Sequence, residues 1–220
     1  ISFGREESAS TGPQVFLRDK WIVARRGNVE TALLDTSLIS LRGSHNLMNV
    51  MAACTLAYAL NFRPESITAG VTGLTGVKHR LQLVRELNGV SWINDSIATA
   101  PERTLAAIHS FTEPLVLLLG GRDKNLPWDD LAAAIHQRVR HVVLFGEAAE
   151  KIHQAIGEPI PGSSLLAITS KPTLVEALEE ARRVAVSGDV VLLSPGCTSY
   201  DAFKDFEERG NTFSEWVNAL

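Results

Sequence analysis

The sequence predicts an α/β fold whose larger part is a mainly parallel β-sheet with helices on both faces. From Leu81 onward, short apolar runs alternate with helical stretches of about 10 to 14 residues. Parallel neighbours in a sheet need crossovers, and those crossovers cover its faces. Length and composition agree: 220 residues allow one large domain or two modest ones, and 45% apolar with 21% charged residues is an ordinary globular balance.

In chain order, residues 1–42 read as short strands at Gln14 to Leu17, Trp21 to Arg25 and Thr31 to Asp35, broken by the turn-like Arg26-Gly27-Asn28. They are expected to form a small antiparallel patch at most. Ser44 is placed as the N-cap of a helix reaching about Ala59. Leu47, Val50, Met51, Ala52, Ala53, Leu56, Ala57 and Leu60 make that helix apolar nearly all round, which predicts burial on several sides. A second helix starts at Pro64-Glu65, where proline suits the first turn. Gly70, Gly73 and Gly76 then thin out the pattern before Lys78-His79-Arg80, and the boundary is placed there, dividing residues 1–77 from 78–220. Beyond it, strands are expected at Val90 to Ile93, Leu115 to Leu119, His141 to Phe145, Leu165 to Ile168 and Val190 to Leu193. Helices are expected at Pro101 to Phe111, Trp128 to Arg138, Glu147 to Ile156, Thr173 to Val186 and Lys204 to Leu220.

Composition removes several classes of function. A formal net charge of -4 lacks the broad basic field of a nucleic-acid binder. No stretch approaches the roughly 18 continuous apolar residues of a membrane span. Cys54 and Cys197 are too few for a disulfide framework or a structural zinc site, which fits a reducing cytosol. The chain opens at Ile1 without a basic or apolar leader, and is expected to be a piece of something longer.

Ligands of such sheets bind beyond the carboxyl ends of the strands. Three polar segments follow predicted strands there: Asn94-Asp95-Ser96-Ile97-Ala98-Thr99, Gly120-Gly121-Arg122-Asp123-Lys124-Asn125, and Ser194 through Asp201. Hydroxyls, an ammonium and helix-start N–H groups together suit a carboxylate or phosphate. The plainer reading makes each an ordinary connection, with Asp95, Ser96 and Thr99 capping the helix at Pro101 and Gly120-Gly121 forming a tight turn. One loop alone does not separate the two readings, whereas three on one edge favour a site.

The glycines match neither G-x-x-x-x-G-K-[ST] nor G-x-G-x-x-G, so this chain is not expected to hold a triphosphate by a phosphate loop of its own. Asn46 and Asn49, three apart, share one face of a helix start, where amides can pair with a base edge or a backbone. His45 and His79 read as surface or capping residues near helix ends. His109, His136, His141 and His153 lack ligand spacing, and no metal cluster is expected.

Four separated segments resemble a known family. Gly43-Ser44-His45-Asn46-Leu47-Met48-Asn49, then His79-Arg80, then Gly89 through Ser96, are similar in order and spacing to signatures of the ATP-dependent Mur ligases of peptidoglycan synthesis. The run Leu193-Ser194-Pro195-Gly196-Cys197-Thr198-Ser199-Tyr200-Asp201, with Phe206 and Glu208-Arg209-Gly210 after it, looks like the glutamate-adding branch. The resemblance implies that residues 1–77 end a central P-loop ATPase domain and that 78–220 form a complete Rossmann-like C-terminal domain. It implies ATP and Mg2+ as cofactors, with phosphate and metal sites mostly upstream of this chain. Its substrates would be UDP-N-acetylmuramoyl-L-alanine and glutamate, joined through an acyl phosphate; the fragment alone would be inactive and the protein a monomer. By motif position, Asn46, Asn49, His79, Arg80 and Asp95 would bind nucleotide. Thr99, Lys124, Ser199 and Phe206 would bind glutamate, and Lys124 and His79 would serve catalysis.

One segment departs from the branch. Where its members read Asp-Ser-Lys-Ala-Thr-Asn, this chain has Ile97 for the lysine and Ala100 for the asparagine, and Gln82 stands where many relatives carry glutamate. A related branch that adds L-glutamate also carries isoleucine there, so the stereochemistry of the amino acid stays open. A folylpolyglutamate synthetase-like ligase and a non-catalytic domain sensing a nucleotide or amino acid are the other readings.

Overall fold

The computed structural model describes residues 1–9, 12–41, 43–74 and 76–220, and His45 by its backbone alone, so the expectation for the His45 side chain lies outside the described residues. The chain divides into two compact units, Ile1–Gly76 and Val77–Leu220.

The smaller unit holds β1 (Ser2–Gly4), β2 (Gln14–Arg18), β3 (Trp21–Arg26) and β4 (Val29–Asp35) side by side in one sheet, then α1 (Ser44–Ala59) and α2 (Pro64–Thr72). β2, β3 and β4 are antiparallel neighbours, while β1, absent from the sequence reading, pairs parallel with β2. Three residues are too few to show a period. Val15, Ile22, Ala24, Leu33 and Leu34 form a core with Val50, Met51 and Cys54 of α1 and Ile67 and Val71 of α2. Two expectations fail here. Ser44 is the first helical residue rather than the cap; Gly43, at φ 96°, holds the cap position and has no side chain to bond the helix end. Burial of α1 on several sides is also wrong, because Leu56 is 66% exposed and Leu60, just past the helix, 72%. A helix apolar all round names no inner face, and the unit's core takes only the stripe through Val50, Met51 and Cys54.

The larger unit runs β5 (Gln82–Leu87), β6 (Val90–Asn94), α3 (Pro101–Ile108), β7 (Leu115–Gly120), α4 (Asp129–Arg138), β8 (Val139–Phe145), α5 (Ala149–Ile156), β9 (Ala167–Lys171), α6 (Leu174–Val184), β10 (Val190–Gly196) and α7 (Phe206–Asn218). Its six-stranded sheet has the order β5-β6-β10-β7-β8-β9, parallel throughout except for the antiparallel edge strand β5. This is the predicted mainly parallel α/β architecture. β5 was not anticipated, although Asn88-Gly89, both at positive φ, is the two-residue turn that joins antiparallel strands. β9 starts at Ala167 instead of Leu165, because the apolar run straddles its entrance: Leu165 is buried and Leu166 is 67% exposed.

Successive residues of a strand face opposite sides of its sheet. Leu115, Leu117 and Leu119 therefore pack with Ile108, Leu131, Ile135 and Ile152 of α3, α4 and α5. Val116 and Leu118 pack with Leu174 and Leu178 of α6 and Phe213 and Val217 of α7. Each such side chain contributes about 1.5 to 3 kcal/mol on burial. The two-sided covering holds the carboxyl ends of β6, β10 and β7 beside one another.

Candidate functional site

Because β6, β10 and β7 are adjacent and parallel, the three polar loops leave the same edge of the sheet. Backbone bonds tie them together: Gly196 N–H donates to Ala98 O at 2.9 Å, Asp95 N–H to Leu193 O at 2.8 Å, and Arg122 and Thr198 exchange N–H···O bonds of 2.9 and 3.0 Å. Lys124 Nζ stands 3.2 Å from Thr99 Oγ1, so the exposed ammonium of one loop and the half-buried hydroxyl of another meet. The simple capping reading fails, since Ala100 occupies the N-cap of α3 and no side chain bonds it. Asp95, Ser96 and Thr99 spend their polar atoms elsewhere.

The Asp95 carboxylate is 4% exposed and accepts from Leu81 N–H at 3.1 Å and from the Ser194 hydroxyl at 2.8 Å. Burial pushes its carboxyl up to about 6, against the opposing pull of those two bonds and of Arg80 and Arg103. Arg80 itself is exposed. Asp95 thus anchors the segment that carries Arg80 and Leu81.

His79 is neither at a helix end nor on the surface, as the sequence reading had it. It is 5% exposed, at φ 61°, with its ring edge-on to Phe206 at a centroid distance of 6.3 Å. Its N–H donates to Gln82 Oε1, and its carbonyl accepts from Ile97 N–H at 3.1 Å. A Cβ on Gly210 would lie 2.2 Å from His79 Nδ1, so only glycine lets α7 approach this ring. Burial lowers the imidazole's proton affinity. Phe206 is half-buried at the start of α7, and Ser199 is 2% exposed with its carbonyl accepting from Ala202 and Phe203 N–H. Asn46 and Asn49 lie in the first turns of α1, in the other unit, half-buried and exposed respectively.

Sequence reasoning gave no individual role to four side chains at this edge: Asn94, Asp123, Lys151 and Arg209. Asn94 donates from Nδ2 to Gly210 O at 2.8 Å, and its Oδ1 accepts from Ser96 N–H at 3.1 Å. Nδ2 also donates to Ser214 Oγ at 2.9 Å and lies 3.1 Å from His79 Nδ1. Lys151 of α5 pairs with Asp123, whose carboxyl burial would raise, but Lys151, Asn125 N–H and the Trp128 indole hold it below its usual range. Arg209 of α7 is wholly buried: Nε donates to Ser96 Oγ at 3.0 Å, and Nη2 to Ser96 O at 2.9 Å and Cys197 O at 3.2 Å. A charged residue in a polar stretch reads as solvated. Its burial depends on loops that approach α7 only in the folded sheet.

Among the described residues no three His, Cys, Asp or Glu side chains stand close enough to hold a metal ion, and no helix is long and apolar enough to cross a membrane. The chemistry on offer at this edge is recognition of anionic groups by Lys124 and hydroxyls, with Arg80 nearby.

Comparison with known proteins places the chain among relatives. A family profile described as Mur ligase, glutamate ligase domain, matches residues 79–197, more than half of the chain. The UDP-N-acetylmuramoylalanine–D-glutamate ligase of Acetivibrio thermocellus is 41% identical over 223 aligned positions, covering 100% of this chain and 47% of the relative. The enzyme of the same name from Syntrophus aciditrophicus is 43% identical, covering 84% of this chain and 39% of its own length. This chain spans about half the length, or less, of the curated relatives it matches. Among solved structures, UDP-N-acetylmuramate–alanine ligase of Thermotoga maritima aligns over 99% of this chain and 47% of its own with a TM-score of 0.63 at 16% identity. Folylpolyglutamate synthase of the same organism aligns over 94% of this chain and 47% of its own, with a TM-score of 0.60 at 15% identity. At such identities the structural likeness speaks for the fold.

Proposed function

The chain belongs to the Mur ligase family, and on that premise we propose that the full-length protein is an ATP-dependent ligase that adds glutamate to UDP-N-acetylmuramoyl-L-alanine. The observation that carries the reading is the meeting of Lys124 and Thr99 across two loops of the sheet edge, where an ammonium beside a hydroxyl suits a carboxylate. The relatives' names support it.

In the proposed reaction the muramoyl-alanine carboxylate attacks the γ-phosphate of ATP, giving an acyl phosphate and ADP. The amine of glutamate then displaces inorganic phosphate and leaves an amide. Lys124 and Thr99 hold a glutamate carboxylate and so orient the amine. Phe206 and Ser199 are proposed as further glutamate contacts. In the larger unit Arg80 is proposed to contact nucleotide, its segment held by His79 and Asp95; in the smaller unit Asn46 and Asn49 are proposed as nucleotide contacts. Mg2+ would offset phosphate charge when bound. Its ligands are proposed to lie mostly upstream of this chain. Residues 1–76 are proposed to belong to the ATP-binding domain and 77–220 to be the amino-acid-binding domain.

The test is phosphate release by the full-length protein with ATP, Mg2+ and UDP-N-acetylmuramoyl-L-alanine, with the amino acid varied. Glutamate should be required, and equal rates with meso-diaminopimelate, lysine or L-alanine would overturn the assignment. Ile97, half-buried in the loop beside Thr99, favours a second version of the reading in which L-glutamate is the substrate. D- and L-glutamate compared in the same assay decide between them.

A further inference from the structure

Arg209 is the largest fully buried side chain among the described residues, and its described acceptors are all neutral oxygens. Desolvating a guanidinium is costly, and an apolar residue of similar volume would fill a core at less cost. Its donors instead fall on each loop of the candidate site. Nη2 joins Ser96 O, between Asp95 and Thr99, to Cys197 O, two residues before Ser199. Nη1 lies 3.5 Å from Gly120 O, at the root of the loop that carries Lys124. Nε donates to Ser96 Oγ, which passes its own proton to Phe206 O at 2.8 Å. Gly121 leaves room for this: a Cβ there would lie 3.0 Å from Nη1 and 2.1 Å from Thr198 O.

We propose that Arg209 is a positioning residue whose planar fork sets the relative placement of the three ligand loops and the start of α7, and thereby the affinity for the amino-acid substrate. The substrate part of this inference rests on the proposed function; the loop-ordering part does not. The fork is essential, because donors that diverge in a plane reach three separate backbone segments, whereas an ammonium concentrates its donors at one point. Burial lowers the guanidinium to about 10, so it stays charged at neutral pH.

The experiment compares wild type, Arg209→Lys, Arg209→Met and the milder Ser96→Ala in the full-length protein. Steady-state kinetics and site-resolved amide hydrogen exchange are the readouts. Arg209→Lys should raise the glutamate KM about tenfold or more while the ATP KM stays within about twofold. Exchange should accelerate at the amides of Arg122, Gly196 and Thr198, which link the loops, and stay unchanged at Val142 and Val143 in β8. Ser96→Ala, which removes one acceptor and keeps the guanidinium, should give an intermediate rise, and it decides the matter if both Arg209 variants fail to fold. Full recovery of the wild-type KM by lysine would overturn the proposal, and so would equal rises in both KM values. If wild type shows no glutamate-dependent turnover, the functional reading falls and exchange alone decides. Acceleration confined to the three loops then supports the positioning role, and uniform or absent acceleration refutes it.

Discussion

Asp95→Asn should stabilise the larger unit, and by an amount that depends on pH. In the folded protein burial holds the Asp95 carboxyl at about 6, against an ordinary value of 3.8. The native state keeps this proton to a higher pH than the unfolded chain does. Between about pH 4 and pH 6 the native state therefore binds more protons, and its stability falls as pH rises. A gap of about two pH units corresponds to about 3 kcal/mol, an upper figure because Arg80 and Arg103 share in the balance. Asparagine keeps the shape, accepts from Leu81 N–H through its oxygen and presents its amide to Ser194, whose hydroxyl can turn to accept. Equilibrium urea unfolding between about pH 4 and pH 8 measures the difference. In a Trp21→Phe background, which removes the one tryptophan of the smaller unit, the fluorescence of Trp92 and Trp128, 2% and 5% exposed, reports on the larger unit. The advantage of Asp95→Asn should be small near pH 4, grow to about pH 6 and then level off. His79, whose affinity burial lowers, titrates in both proteins and cancels from the difference. A pH-independent difference, or one growing toward acid, would refute the reasoning.

Other substitutions test neighbouring parts of the scaffold. Lys124→Ala should raise the glutamate KM of the full-length protein far more than the ATP KM, and equal effects on both would count against its role in holding a carboxylate. Gly210→Ala brings a Cβ to 2.2 Å from His79 Nδ1 and 2.8 Å from Cγ, so the ring must leave its place between Asn94 and Phe206. The expected net cost is about 1 to 3 kcal/mol in thermal unfolding, despite the better helix propensity of alanine. Thr173→Ala removes the capping box that Thr173 and Glu176 form at the start of α6, and should cost about 1 kcal/mol in the same assay with an unchanged glutamate KM.

The sheet was legible because strands such as Leu115–Gly120 are buried on both faces and announce themselves as unbroken apolar runs. Its strand order was not, since nothing local places β10 between β6 and β7; that follows from how the crossovers pack. The three loops were visible as polar punctuation after those runs, and Lys124 and Thr99 with them. Arg209 and Asn94 stayed hidden for a common reason. Their partners lie far along the chain, 113 residues from Arg209 to Ser96 and 116 from Asn94 to Gly210, and a side chain that serves distant backbone carries no local periodicity. β5 was the avoidable miss, because Asn88-Gly89 marks the hairpin in the sequence itself.

Within the loop after β6, support and recognition fall to different residues. Asn94, Asp95 and Ser96 are buried, and each side chain is committed to scaffold: to α7, to Leu81 and Ser194, and to Phe206 and Arg209. Ala98 is buried, and its carbonyl accepts from Gly196 N–H. Ile97 and Thr99 are left half-exposed between these anchored neighbours, and the Ile97 backbone is held by the His79 carbonyl whatever its side chain. A change from lysine to isoleucine at position 97 can therefore alter what the site holds while every anchor of the loop persists. The departure from the glutamate-adding pattern falls where the scaffold tolerates it, which makes Ile97 the first position to exchange for lysine when the D- and L-glutamate preferences are measured.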